Sequence, residues 1–224
     1  MDSQIPSIII SVFVILFAIT VHEAAHAWAA NRLGDPTAAS LGRISLNPIA
    51  HIDPIGTVIL PLFMIIVSGG RGPVFGWAKP VPYNPRNLRH PRKDALWISL
   101  AGPLANVTTA GVAILIFNGL QGLGVRMPNP FLNVITGPNL PIIGLAVVLQ
   151  ELALVNLFLA VFNLIPIPPL DGSGILAGLL PYRAAEQFES LRRYQLLLFA
   201  LLIVSHITDR IYVPIYVLVR SLFS

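Results

Sequence analysis

Apolar side chains in this chain fall in long blocks, and the polar positions between them gather in short, turn-rich stretches. Residues 5–30 form one apolar run, interrupted only by His22-Glu23 and His26. At 1.5 Å per residue a helix of that length crosses about 30 Å of hydrocarbon. Residues 95–120 and 141–165 are two more runs of spanning length. Residues 54–67 are apolar but short and contain Pro54 and Pro61, which predicts a re-entrant or interfacial piece. Residues 173–190 turn polar late, and 194–205 are strongly apolar. After an interruption at 205–210, residues 211–223 are apolar again with Pro214 inside. That last stretch is either one broken span or a span followed by an interfacial piece. The pattern predicts an all-α polytopic membrane protein of about five to six membrane segments, one of them re-entrant. A small extended or β element is expected in the Gly/Pro-rich loop. No fixed-period repeat or low-complexity segment divides the chain, so residues 1–224 are read as a single domain.

Composition sharpens this picture. Hydrophobic residues make up 55% of the 224 positions and charged residues 11%, whereas soluble domains carry about 25% charged residues. With a mean hydropathy of +0.76, a water-soluble globule is excluded. A cleaved leader would need a positive start, but the only charged side chain before the first run is Asp2. Cysteine is absent, so disulfides are excluded and a metal site must draw on His, Asp or Glu.

The net charge of +4 does not point to nucleic acid, because the basic residues sit in loops between apolar blocks and form no basic helical face. Six of them, Arg71, Lys79, Arg86, Arg89, Arg92 and Lys93, lie in the loop 68–93. Arg32 and Arg43 precede the short apolar piece, and Arg183, Arg192 and Arg193 follow the third full span. The loop 121–140 has Arg126 as its only charge. Positive loops face the cytoplasm, and all three basic loops can do so only if 54–67 dips in and returns. The amino terminus is then outside, in a multi-pass protein of the cell (plasma or inner) membrane.

Inside the first run lies His22-Glu23-Ala24-Ala25-His26, an H-E-x-x-H pattern. Residues four apart stack on one helical face, about 5–6 Å between Cβ atoms, which lets two imidazoles share one Zn²⁺. Glu23, one position on, is rotated off that line and can act on zinc-bound water as a base. Three fixed residues arise by chance in ~3% of chains this long, and ionisable groups inside a span are functional by default. The alternative is that both histidines only hydrogen-bond between helices, with Glu23 paired to an arginine. A catalytic zinc needs a third protein ligand, for which Asp171, His51, Asp53, Glu151 and His206 are open candidates. Asp171 ends a proline-rich turn, 166–172, that stops a helix and can present a carboxylate inward. It could equally cap the helix that follows.

H-E-x-x-H in a transmembrane helix, followed by Phe162-Asn163-Leu164-Ile165-Pro166-Ile167-Pro168-Pro169-Leu170-Asp171-Gly172, resembles the site-2 protease family of intramembrane zinc metalloproteases. Ala101-Gly102-Pro103-Leu104-Ala105-Asn106 matches a further family element. The stretches 46–54 and 76–82 resemble its compact prokaryotic branch. The resemblance, covering residues 5 to about 181, implies His22, His26 and Asp171 as ligands of one Zn²⁺ and Glu23 as general base. It implies that Asn163 faces the substrate, and that the partners are transmembrane protein substrates within a lipid bilayer. Many members insert a PDZ domain, and no stretch here is long enough to hold one.

Cleavage in hydrocarbon needs a polar path for water and an unwound substrate helix. The stretch 69–85 is either an extended edge that pairs with such a segment or an ordinary surface loop. Asn106 and Asn156 are expected to hydrogen-bond between helices, and Asp53 to cap the helix at Pro54. The competing function is a non-enzymatic transmembrane metal transporter or sensor, which would place ionisable residues at several depths or in repeated halves. Here they cluster at one depth and no halves repeat.

Overall fold

A computed structural model describes residues 5–68, 76–125 and 140–223. Helix α1 (Ile5–Arg32) runs 28 residues without an interior glycine. It stops where Gly34 takes a left-handed φ of 113° and the Asp35 N–H returns to the Ala30 carbonyl, a glycine-ended helix stop. A short helix α2 (Thr37–Ser40) follows. Helix α3 (Leu60–Ser68) continues a π-helical stretch, Pro54–Ile59. Asp53 caps that stretch through the Ile55 and Gly56 N–H groups, as the sequence predicts.

Asp35 then brings the chain back to the end of α1. Its carboxylate accepts from Thr37 N, Thr37 Oγ1, Asn84 N and Asn87 Nδ2 at 2.6–3.2 Å. Ala29 and Ala30 bury against Leu88 and Ile98 just beyond this knot. The polypeptide enters α4 (Pro91–Gly122) there, with Asp94 receiving the His90 N–H at 2.7 Å. The carboxyl end of α1 and the amino end of α4 therefore lie at the same level.

Helix α5 (Leu140–Asn163) and α6 (Asp171–Leu179) both pack on α4. Gly174 and Gly178 of α6 sit so close to α4 that a Cβ would strike Ser99 and Leu96. Then come α7 (Tyr182–Glu189), α8 (Gln195–Val204) and α9 (Ile207–Leu222). The α4–α5–α9 contact is built from Ala110, Ala113, Ala146 and Ala153 around Phe117, Ile215, Val219 and Phe223. Small residues let helices approach closely where burial from water supplies no drive.

Among the described residues, three helices are long and apolar enough to cross a membrane: Ile9–Arg32, Pro91–Gly122 and Pro141–Asn163. The α7–α8 stretch and α9 pass the same test together, bent by 57°. The bend falls at His206, whose φ of 54° is left-handed. Length thus supports three spans, or four with the bent pair counted as one. The expected five to six segments depend in addition on Pro54–Ser68, too short to span alone. Large apolar side chains such as Ile9, Leu62, Leu115 and Leu196 are exposed, as a lipid-facing surface requires.

The expected β element is only partly in view. Residues 76–84 are non-helical and no strand occurs among the described residues; residues 69–75, with Arg71, lie outside them, as does Arg126. The 76–84 segment is nonetheless laced to 51–57: Trp77 N to Gly56 O at 3.1 Å, Thr57 Oγ1 to Trp77 O at 2.8 Å, and Lys79 N to His51 O at 2.9 Å.

Candidate metal centre

Helical spacing stacks His22 and His26 on one side of α1, both 7% exposed, and α4 crosses directly over them. Gly102 permits this approach, because a Cβ there would collide with both imidazoles. The nitrogens pointing into the bundle are engaged. His22 Nδ1 lies 2.5 Å from Asn106 Oδ1, and His26 Nδ1 lies 2.6 Å from the Ile98 carbonyl. Asn106 has a fixed orientation, since its Nδ2 donates to Ala18 O at 3.1 Å and to Asn156 Oδ1 at 2.7 Å. Asn156 is oriented in turn by donation to Leu152 O at 2.8 Å. Both asparagines are fully buried. The relay α5–α4–α1 leaves Asn106 Oδ1 only the acceptor role, so His22 carries its proton on Nδ1; the Ile98 carbonyl requires the same of His26.

Both Nε2 atoms consequently present lone pairs, 3.0 Å apart. Asp171 completes the group: its Oδ2 lies 3.0 Å from His22 Nε2 and 3.3 Å from His26 Nε2. Oδ2 is buried and has no well-directed hydrogen bond. Three acceptors facing one another repel unless a cation sits among them. Zinc–ligand bonds of about 2.0–2.2 Å in a tetrahedron place ligand atoms about 3.3 Å apart, which the observed edges approach. The donor set and its spacing therefore fit Zn²⁺. When bound, Zn²⁺ supplies Lewis acidity and lowers the pKa of water.

Asp171 is the first residue of α6, and no side chain caps this helix. The capping alternative is thus not what the carboxylate does; it points at the histidines. The turn before it closes through Ile167 N to Ile165 O at 2.8 Å and Leu170 N to Ile167 O at 2.9 Å. A Cβ on Gly172 would strike the Leu164 and Ile165 carbonyls.

The other ligand candidates stay apart. His51 is buried with Nε2 on the Ser45 carbonyl at 2.8 Å, Asp53 caps the Pro54 helix, and Glu151 is half-buried on α5. His206 is exposed and pairs with Asp209 at 3.2 Å. Among the described residues, His22, His26 and Asp171 are the only group of three able to share a metal.

Glu23 is half-buried and forms no ion pair with an arginine or any other residue among the described residues. Asn163 ends α5 with Nδ2 on the Leu159 carbonyl at 3.0 Å, and no hydrogen bond joins it to the histidines or Asp171. Sequence reasoning placed Asn106 and Asn156 between helices correctly but missed that they orient His22. The signal was Asn106 lying four residues after Gly102, on the α4 face that meets α1. Arg43, read for topology alone, is 3% exposed and bonded to the Lys79 and Pro80 carbonyls.

Comparison with known proteins agrees with the geometry. The model of peptidase family M50 matches residues 10–205. Three relatives carry the name "Putative zinc metalloprotease". YwhC of Bacillus subtilis (strain 168) is 34% identical over 203 residues, 91% of this chain and 82% of that one. Rip2 of Mycolicibacterium smegmatis is 29% identical over 180 residues, covering 78% and 61%. The sll0528 protein of Synechocystis sp. is 36% identical over 87 residues, covering 39% and 18%. No solved structure gives a significant match. The chain belongs to peptidase family M50, the site-2 protease family, and is a zinc metalloprotease.

Proposed function

We propose that this member of peptidase family M50 is an intramembrane endopeptidase that hydrolyses peptide bonds in or near transmembrane segments of other membrane proteins. His22, His26 and Asp171 hold one Zn²⁺, and Glu23 is the general base. The observation that carries this reading is the triangle of three acceptor atoms, 3.0–3.3 Å on a side, between apolar helices. The Nδ1 partners of both histidines keep Nε2 free for a metal. The Glu23 carboxylate accepts a proton from the attacking water and delivers it to the leaving amine nitrogen. Asn163 faces the substrate, its carboxamide oriented by the bond from Nδ2 to the Leu159 carbonyl.

Residues 77 and 79 spend their N–H groups on residues 56 and 51, so Ala78, on the alternate edge of this extended stretch, is placed to pair with an unwound substrate. The meeting of α1 and α4 at one level supports the re-entrant reading of 54–67. With the basic loops cytoplasmic, the site opens toward the cytoplasm and the amino terminus lies outside, in the plasma or inner membrane. A single catalytic domain spans the chain. A transporter reading finds no support, since the metal-binding cluster lies at one depth.

The test places purified protein in vesicles with a fluorescent single-span reporter. Wild type should cut within or beside the span. Glu23→Gln should retain zinc and lose about 10³-fold in rate, within the range of general-base catalysis. Cleavage that survives this substitution, or cleavage confined to soluble peptides, refutes the assignment.

A further inference from the structure

Among the described residues, Arg43 is the only buried arginine or lysine. Gly42, with a φ of 69°, turns the chain after α2, and the Arg43 N–H returns to the Ala38 carbonyl at 2.9 Å. The side chain is thereby directed beneath the 76–84 segment, where Nη2 donates to the carbonyls of Lys79 and Pro80. A guanidinium carries five N–H donors, and Nη2 accounts for two of them. Nε and Nη1 are buried and have no hydrogen-bond partner among the described residues. Burial lowers the proton affinity of this group and the charge of nearby Glu23 raises it; the guanidinium stays protonated.

Unspent buried donors are costly, and these three lie against the 76–84 segment. An unwinding substrate helix has the complementary deficit: each lost helical hydrogen bond frees a backbone carbonyl in a water-poor site. We propose that Arg43 is a substrate-binding residue whose Nε and Nη1 groups, covered by the 76–84 segment here, donate to backbone carbonyls of an unwound peptide that moves that segment aside. This rests on the endopeptidase reading. It assigns the recognition of an extended backbone, independent of side-chain sequence, to one guanidinium.

The test uses the zinc-loaded Glu23→Gln protein in nanodiscs and measures its affinity for a labelled single-span peptide. Arg43→Lys should bind about tenfold more weakly, with one zinc per chain and an unchanged melting temperature. Replacing successive peptide amides by esters weakens one carbonyl acceptor at a time. One ester position should weaken binding to the Arg43 protein and add nothing in Arg43→Lys, the mark of a shared contact. In the active enzyme, KM should rise more than kcat falls. Arg43→Gln serves where the lysine variant does not fold. Additive effects at every ester position, unchanged affinity, or failure of both variants to fold each overturn the proposal. Absence of Glu23-dependent cleavage by wild type would instead remove the endopeptidase reading, whatever Arg43 does.

Discussion

The two sides of the histidine pair differ in how their polar groups are satisfied. Toward the bundle, His22, Asn106 and Asn156 form a closed relay with each amide direction set by the next, and His26 rests on the Ile98 carbonyl. Toward the 41–53 loop and the start of α6, among the described residues, Glu23 has no ion pair, Arg43 keeps two nitrogens without a partner, and Asp171 Oδ2 has no well-directed donor. The first side holds geometry and the second is left to be completed by metal, water and substrate. A buried network stabilises when every member is paired. A reactive face needs the opposite, because a base already paired has nothing left to offer a substrate.

Four substitutions probe this division, beyond those at Glu23 and Arg43. The largest effect is expected on the open side. Asp171→Ala should lower zinc from one per chain to none at micromolar metal and abolish activity, as metal analysis beside a reporter assay would show. Retention of zinc would mean that the third ligand lies elsewhere.

On the closed side the effect should be graded. Asn106→Ala frees His22 Nδ1 and should weaken zinc affinity by about 10–100-fold, the range for partners of metal-bound histidines. Competition with a chelator measures this directly. Asn156→Ala, one bond further out, should do the same more weakly, and equal losses would contradict a relay that runs through Asn106.

The smallest effect on chemistry belongs to Asp35, which ties α1 to the 84–87 turn away from the metal. Burial acts to raise its pKa, but the hydrogen bonds from Thr37, Asn87 and Asn84 outweigh it and hold the carboxyl below its usual range. Its contribution to stability is therefore present above the ordinary carboxylate pKa of about 3.9 and lost as pH falls through the lower folded value. Asp35→Ala should cost about 2 kcal/mol at neutral pH and flatten the acid limb of a stability-versus-pH curve, while zinc stoichiometry stays at one.

Much of this was legible in the chain because it depends on local pattern. Apolar runs of more than twenty residues must be helices in lipid, since only a helix satisfies its own backbone there; the three longest appear as α1, α4 and α5. The His22–His26 pair follows from 3.6 residues per turn. Asp53 was expected to cap and does so. The shorter segments were harder to read, because a 15-residue apolar helix satisfies its backbone equally well dipping into a membrane or lying along it. The candidate site divides in the same way. Composition and spacing left five residues open as third ligand, and the resemblance to site-2 proteases singled out Asp171.

What the sequence determined by itself is the presence of a metal-binding helix in a polytopic α-helical chain, because side chains four apart on one helix meet whatever surrounds them. Only the tertiary structure decided which distant atoms close on that helix. Asp171 arrives from α6, Asn106 from α4 beneath the gap left by Gly102, and Arg43 from a loop turned inward at Gly42. Those meetings depend on how closely helices can approach and on which buried donors and acceptors remain to be matched, and neither is encoded in any single stretch of residues.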